Sequence, residues 1–192
     1  DINVSMGYPL SRSPLFRLID TILRLQEGRR EQNYYWRDLV ELVRHPYLKM
    51  LQPLPGREDE TPTIQGERNA PGAWGLPGTA KAGEKAEASA GLRRELGRFE
   101  QTLRGSGRNY PDPFTVLEDS RLLAGPGEAS SPGVAALAAH TLAVTIRAFE
   151  QPATPRAMGE ALEGLCSLLL AHGRPLWDRF LVDAECLYRL MQ

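Results

Sequence analysis

The sequence predicts a mainly α-helical, bundle-like domain with one short strand near its start. Three observations carry that expectation. Apolar residues recur at helical spacing through most of the chain. Ser13-Pro14 and Thr154-Pro155 stand where helices would begin, a polar cap followed by the ring that tolerates a first helical position. Short Pro/Gly connections separate the last periodic segments, which favours antiparallel helix neighbours. With 192 residues, 42% hydrophobic and 24% charged, the chain can build a core of ordinary size.

Taken in order, residues 2–6 alternate apolar and polar and are broken by Gly7-Tyr8-Pro9, which reads as a strand and a turn. After Ser13-Pro14, the residues Leu15, Leu18, Ile19, Ile22, Leu23 and Leu25 describe one helix, ended by Gly28. A second helix spans about 35–44, with Leu39, Val40, Leu42 and Val43 as its stripe; His45-Pro46 stops it, because a residue before proline avoids the α region. Residues 53–85 are rich in Pro, Gly, Glu and Thr, with Trp74 as the one large anchor, and read as a linker or loop. A charged helix is expected over 87–104, a turn-rich connection over 105–113 and a short helix over 114–123. Residues 134–149 form one helix, Thr154-Pro155 opens another that ends at His172-Gly173, and Pro175 opens a third. The organisation is thus 1–51, a strand with two helices; 52–86, a loop or linker; and 87–192, a helical bundle.

Chemistry is sparse. Net charge is -1 and the pI is about 6.4, so no global basic field draws the chain to nucleic acid. Two cysteines, Cys166 and Cys186, lie in apolar helical segments and imply a reducing, cytoplasmic setting. The apolar run 133–149 is short for a membrane span and contains His140 and Arg147. Gly78 to Lys85 imitates a phosphate loop, but Lys85 falls one place late and Ala86 stands where a hydroxyl would hold Mg²⁺. Asp112, Glu118 and Asp119 resemble a degenerate nuclease carboxylate set, without a lysine; a helix cap with surface carboxylates explains them better. His45, His140 and His172 show no ligand spacing; His140, in an apolar helix, reads as a hydrogen-bonded core residue, and His172 suits a last helical turn. No catalytic residue, metal, cofactor or small-molecule substrate is expected.

Basic residues offer a weaker signal. Arg12, Arg17, Arg24, Arg29 and Arg30 give the first helix a positive side that could touch phosphates, offset by Asp20 and Glu27. Arg93, Arg94 and Arg98 alternate with Glu95 and Glu100, the pattern of a solvated helix face. Tyr34, Tyr35 and Trp36 could stack on bases, though aromatic residues at a helix start more often anchor packing.

The opening, Met6-Gly7-Tyr8-Pro9-Leu10 after a strand and before Ser13-Pro14-Leu15, resembles a place in the AddB/RecB-like superfamily I DNA helicase–exonucleases. The later His45-Pro46-Tyr47-Leu48 is similar to a segment that follows in the same proteins. The resemblance covers about the first fifty residues. It implies that the chain leaves the second motor domain to build a helical, 2B-type insertion, and that ATP, Mg²⁺ and the nuclease belong to the rest of a parent protein. Met6-Gly7-Tyr8 and His45-Pro46-Tyr47 replace the Gly-Gly and Gly-Ile-Gly turns of duplex-gripping relatives, which suits the branch with a degenerate motor. Because the sequence opens in a strand-like pattern and closes at Leu190-Met191-Gln192 in a helical one, it is expected to be a fragment. The implied function is a non-catalytic accessory domain in double-strand-break repair and recombination, positioning DNA or a helicase–nuclease partner subunit. The competing expectation is a helical protein-interaction or regulatory module with no nucleic-acid role.

Overall fold

Wherever a side-chain acceptor precedes a proline in the described residues at a helix boundary, a helix begins. The computed structural model describes residues 13–53, 80–125, 130–150 and 152–174, together with 176 and 187; side chains in α4 are described from Ala90 onward. The helices are α1 (Pro14–Glu27), α2 (Trp36–Arg44), α3 (Pro46–Lys49), α4 (Ala80–Gly105), α5 (Pro113–Leu122), α6 (Pro132–Thr145) and α7 (Pro155–His172), with a 3-10 turn at Arg147–Phe149. Ser13, Asp112, Ser131 and Thr154 each accept a bond from an N–H of the first turn, and each is followed by proline, which has no N–H to satisfy. His45 does the same for α3 with its ring. The chain is mainly helical, and the sole β feature among the described residues is the bridge between Arg30 and Asn33. The expected strand at 2–6, the turn at Met6, Gly7, Tyr8 and Pro9, and Arg12 lie outside the described residues.

Two boundaries differ from the sequence expectation. Helix α4 starts at Ala80, inside the stretch expected to be loop or linker. Ala80, Ala82, Ala86, Ala88 and Ala90 explain this, because alanine is the strongest helix former and outweighs Gly83. Lys85, the lysine of the apparent phosphate loop, therefore sits within a helix. Downstream, the helix expected over 134–149 ends at Thr145 and tightens into the 3-10 turn, with Ile146 at φ -112° and ψ -66° between them.

The core is one continuous apolar cluster running from Leu15 to Leu187. Leu15, Leu18, Ile22 and Leu25 form the buried stripe of α1, and Leu39, Leu42 and Val43 meet it from α2. Helix α4 is the centre: Leu92, Leu96, Phe99 and Leu103 line one face, and α2, α3, α5 and α6 all pack on it. Gly91 lets α6 close in, since a Cβ there would meet Val134 at 3.1 Å. Helix α7 adds Leu165, Leu168 and Leu169 against α6. Pro132–Phe149 is long and apolar enough to cross a membrane by length and composition, but in this fold Val134, Leu137, Leu142 and Phe149 belong to the core. Helices on both sides of residues 53–79 thus share a single interior, and Gln52 strengthens the join: its N–H donates to the His172 carbonyl at 2.8 Å, and its own carbonyl lies 2.8 Å from His172 Nδ1.

Candidate nucleic-acid interface

The arginines of the first helix do not act as one basic face. Arg17 is exposed, but Arg24 pairs with Asp20 at 2.8 Å, a same-face contact one helical turn apart. Arg29 folds back: its Nε donates to the Glu31 carbonyl at 2.5 Å, and its guanidinium lies 3.9 Å from the Glu150 carboxylate. Arg30 leaves the helix axis altogether and lies over the Tyr110 ring, 4.0 Å from its centroid. A phosphate contacting this face would compete with bonds already made at Arg24 and Arg29. The local cause is the tight turn after Gly28, where Arg30 and Asn33 exchange both backbone bonds at 2.9 Å and Glu31 takes a left-handed φ of 57°.

The three aromatic residues that follow have separate fates. Tyr34 is fully buried and unavailable for stacking; its hydroxyl donates to Glu150 at 2.8 Å, and burial together with that carboxylate pushes the phenol up. Tyr35 and Trp36 stay partly exposed, because the Tyr34 and Trp36 N–H groups donate to the Pro111 and Asn109 carbonyls at 3.1 Å and tie this strip to the loop before α5. That loop brings Tyr110 against Tyr35, ring centroids 5.7 Å apart. Tyr110 was not singled out by the sequence, since nothing local links it to a segment about seventy residues earlier.

Among the histidines and carboxylates, His45 and Asp112 cap helices, whereas His140, Glu118 and Asp119 face solvent. His45 accepts the Tyr47 N–H at its Nδ1 (3.3 Å), which leaves the proton of the neutral ring on Nε2. Burial pushes its pKa down to about 4; the Pro14 carbonyl favours the charged ring but is outweighed, and Arg17 lowers the value further. His140, expected in the core, is exposed: α6 buries the face carrying Leu137, Ala138, Thr141 and Leu142 and turns His140 outward. Asp112 caps α5, accepting from the Phe114 N–H at 3.1 Å and the Thr115 hydroxyl at 2.7 Å, while Glu118 and Asp119 are exposed. Among the described residues no group of three His, Cys, Asp or Glu is placed to hold a metal ion.

The strongest electrostatic feature is one that charge patterning assigned to solvent. Glu95 is only 1% exposed. Its Oε1 accepts from Arg121 Nε at 2.9 Å; its Oε2 accepts from the Ser130 hydroxyl at 2.6 Å and from Arg98 Nη2. Arg121 Nη2 also donates to the Ala135 carbonyl at 2.5 Å, so α4, α5 and α6 meet at one ionic knot. Burial pushes the Glu95 carboxyl up, but Ser130, Arg121 and Arg98 outweigh it and hold the group below its ordinary range. Every polar atom of the carboxylate faces a donor from this same fold, which is the arrangement of a structural tie. Comparison with protein-family models, curated proteins and solved structures returned no match for this chain.

Proposed function

We propose that this chain is a non-catalytic helical accessory unit of a DNA helicase–nuclease, a rigid surface that positions DNA or a partner subunit during double-strand-break repair. ATP, Mg²⁺ and the nuclease chemistry then belong to the parent protein. One observation supports the reading most: Ser13-Pro14, the described end of the first resembling stretch, meets the second, His45 to Leu48, at a single joint. His45 caps α3 and rests beside the Pro14 carbonyl at the start of α1, while Tyr47 and Leu48 are fully buried beneath them. A joint of this kind fixes the start of α1 against α3, which is what a rigid positioning surface requires.

The test is binding of forked and single-stranded DNA by the purified chain, compared at low and moderate salt. An affinity that falls steeply with salt supports DNA positioning; no association with either probe removes it. Leu122 and Leu123, 83% and 76% exposed at the end of α5, favour a second reading, a protein-interaction module. That reading gains if DNA binding is absent and Leu122→Ser with Leu123→Ser abolishes association with a partner subunit.

A further inference from the structure

We infer that the ridge where α2 and α3 pack on α4 is a contact surface for the phosphate backbone of double-stranded DNA, built from Arg44, Lys49, Arg93 and Arg104. The inference deepens the DNA-positioning form of the proposed function and rests on it. Three of the four cations gather at Glu100, whose side chain is 16% exposed. Arg44 grips that carboxylate with two bonds, from Nε at 3.0 Å and from Nη2 at 2.7 Å, and Arg104 reaches it at 2.9 Å from one turn further along α4. The Arg44 bonds, joined by the charges of Arg44, Arg104 and Lys49, hold the Glu100 carboxyl below its ordinary range against the opposing effect of burial. Arg93 extends the row: its Nε donates to the Lys49 carbonyl at 3.1 Å.

The charge on this ridge is not cancelled nearby. Along α2, α3 and α4 from Ala90 onward, Arg and Lys number seven and Asp and Glu four. Two of those acids are directed elsewhere. Glu95 is turned into the knot with α5 and α6, and the Asp38 carboxylate points to the end of α1, 3.4 Å from the Cβ position of Gly28. The acids left for the four cations are Glu100 and, one turn before Arg44, the exposed Glu41, so a surplus of two positive charges remains. Residues 80–89, the earlier part of α4, hold two lysines and two glutamates and leave that balance unchanged.

The surroundings of the cations decide the kind of partner. The exposed large apolar side chains among the described residues, Phe16, Leu23, Leu122, Leu123 and Leu170, lie on α1, at the end of α5 and on α7, and none is on this ridge. A protein partner needs such anchors, whereas a phosphate backbone needs cations alone. No exposed ring stands among the four, so the surface offers nothing for unpaired bases to stack on and suits a duplex, which presents phosphates outward. Arg93 and Arg104 are eleven residues apart on one helix, about 16 Å, the length of about five base pairs. Glu100 also fixes two long side chains before any ligand arrives, and Arg44 keeps further N–H donors for a phosphate.

The experiment is fluorescence anisotropy of a labelled blunt duplex of about twenty base pairs with the full chain, from about 50 mM to about 200 mM salt. Four phosphate contacts give a log–log salt slope of about -3.6, a loss of about a hundredfold across that range. Lys49→Gln and Arg93→Gln should each reduce the slope by about 0.9 and weaken binding by about tenfold at the lower salt. Glu100→Gln should strengthen binding, the opposite of what damage to the fold would do, and Arg24→Gln should change it less than about twofold. Circular dichroism of each variant checks that the helices remain. If duplex or forked DNA binds but Lys49→Gln and Arg93→Gln keep the natural slope and affinity, the ridge is wrong and DNA positioning survives. If no DNA probe binds, both fall. Polyglutamate binding as tightly as the duplex would overturn the inference in favour of an acidic protein segment, and tighter binding of a single strand of equal phosphate number would overturn the duplex.

Discussion

Replacing Glu95 by glutamine keeps the shape of the side chain and removes its charge, so the consequence can be worked from the bonds it makes. The carboxylate accepts from Arg121, Ser130 and Arg98 and is almost completely buried. A glutamine can keep one oxygen on Arg121 Nε, at the 2.9 Å position. Its NH₂ then occupies the other position, facing Ser130 and Arg98. The serine hydroxyl can rotate to accept, but a guanidinium has no acceptor, so Arg98 loses its carboxylate and meets a donor instead. Removing one partner of a buried ion pair costs about 3–5 kcal/mol. Arg98 and Arg121 keep 18% and 34% of their side chains exposed, which lets water relieve part of that. Glu95→Gln should therefore destabilise the fold by about 3 kcal/mol at neutral pH. Urea denaturation followed by far-ultraviolet circular dichroism measures it. The carboxyl lies below its ordinary range in the fold, so its stabilisation is complete above the unfolded value and declines as pH falls through the folded one. The variant should lose that part of the acid sensitivity. A change below about 0.5 kcal/mol, or an undiminished acid sensitivity, would refute the knot as a stabilising element.

Other expectations follow from separate features. His45 has a folded pKa of about 4 against 6.5 unfolded, so its neutral ring stabilises fully above 6.5 and loses effect as pH falls from there toward 4. Between pH 6.5 and about pH 5 this amounts to about 2 kcal/mol, and His45→Asn, which can still cap α3, should lack that slope; parallel pH profiles for the two proteins would count against it. At Gly173 a Cβ would lie 2.3 Å from the Leu169 carbonyl oxygen, so Gly173→Ala should lower stability by at least about 2 kcal/mol in a urea titration, and an unchanged midpoint would contradict the close approach. Glu31 holds φ 57°, a conformation that costs a non-glycine residue about 1 kcal/mol; Glu31→Gly should raise the melting temperature, and a fall would show that its backbone is not strained.

Much of the architecture was legible because it is local. Caps at Ser13 and Thr154, proline at the first helical position and the stripe Leu15, Leu18, Ile22 and Leu25 depend on residues within a turn or two of one another. The same capping signal also stood at Asp112 and Ser131, where proline follows. The early start of α4 was equally local, in a run of alanines whose helix propensity outweighs the glycine among them.

What tertiary structure alone decided are the partnerships. A glutamate between arginines on a helix reads as solvated surface, and only the packing of α5 and α6 on α4 turned Glu95 inward to meet residues 26 and 35 positions away. The basic stripe of α1 was visible as composition, yet Asp20 and Glu150 determine which of its charges remain available, and Glu150 comes from just past the 3-10 turn that follows α6. Tyr110 joined Tyr35 and Trp36 for the same reason. Periodicity fixes which side of a helix is apolar; it carries no information on which distant charge or ring that side will be set against, because that follows from how whole helices stack to fill one interior.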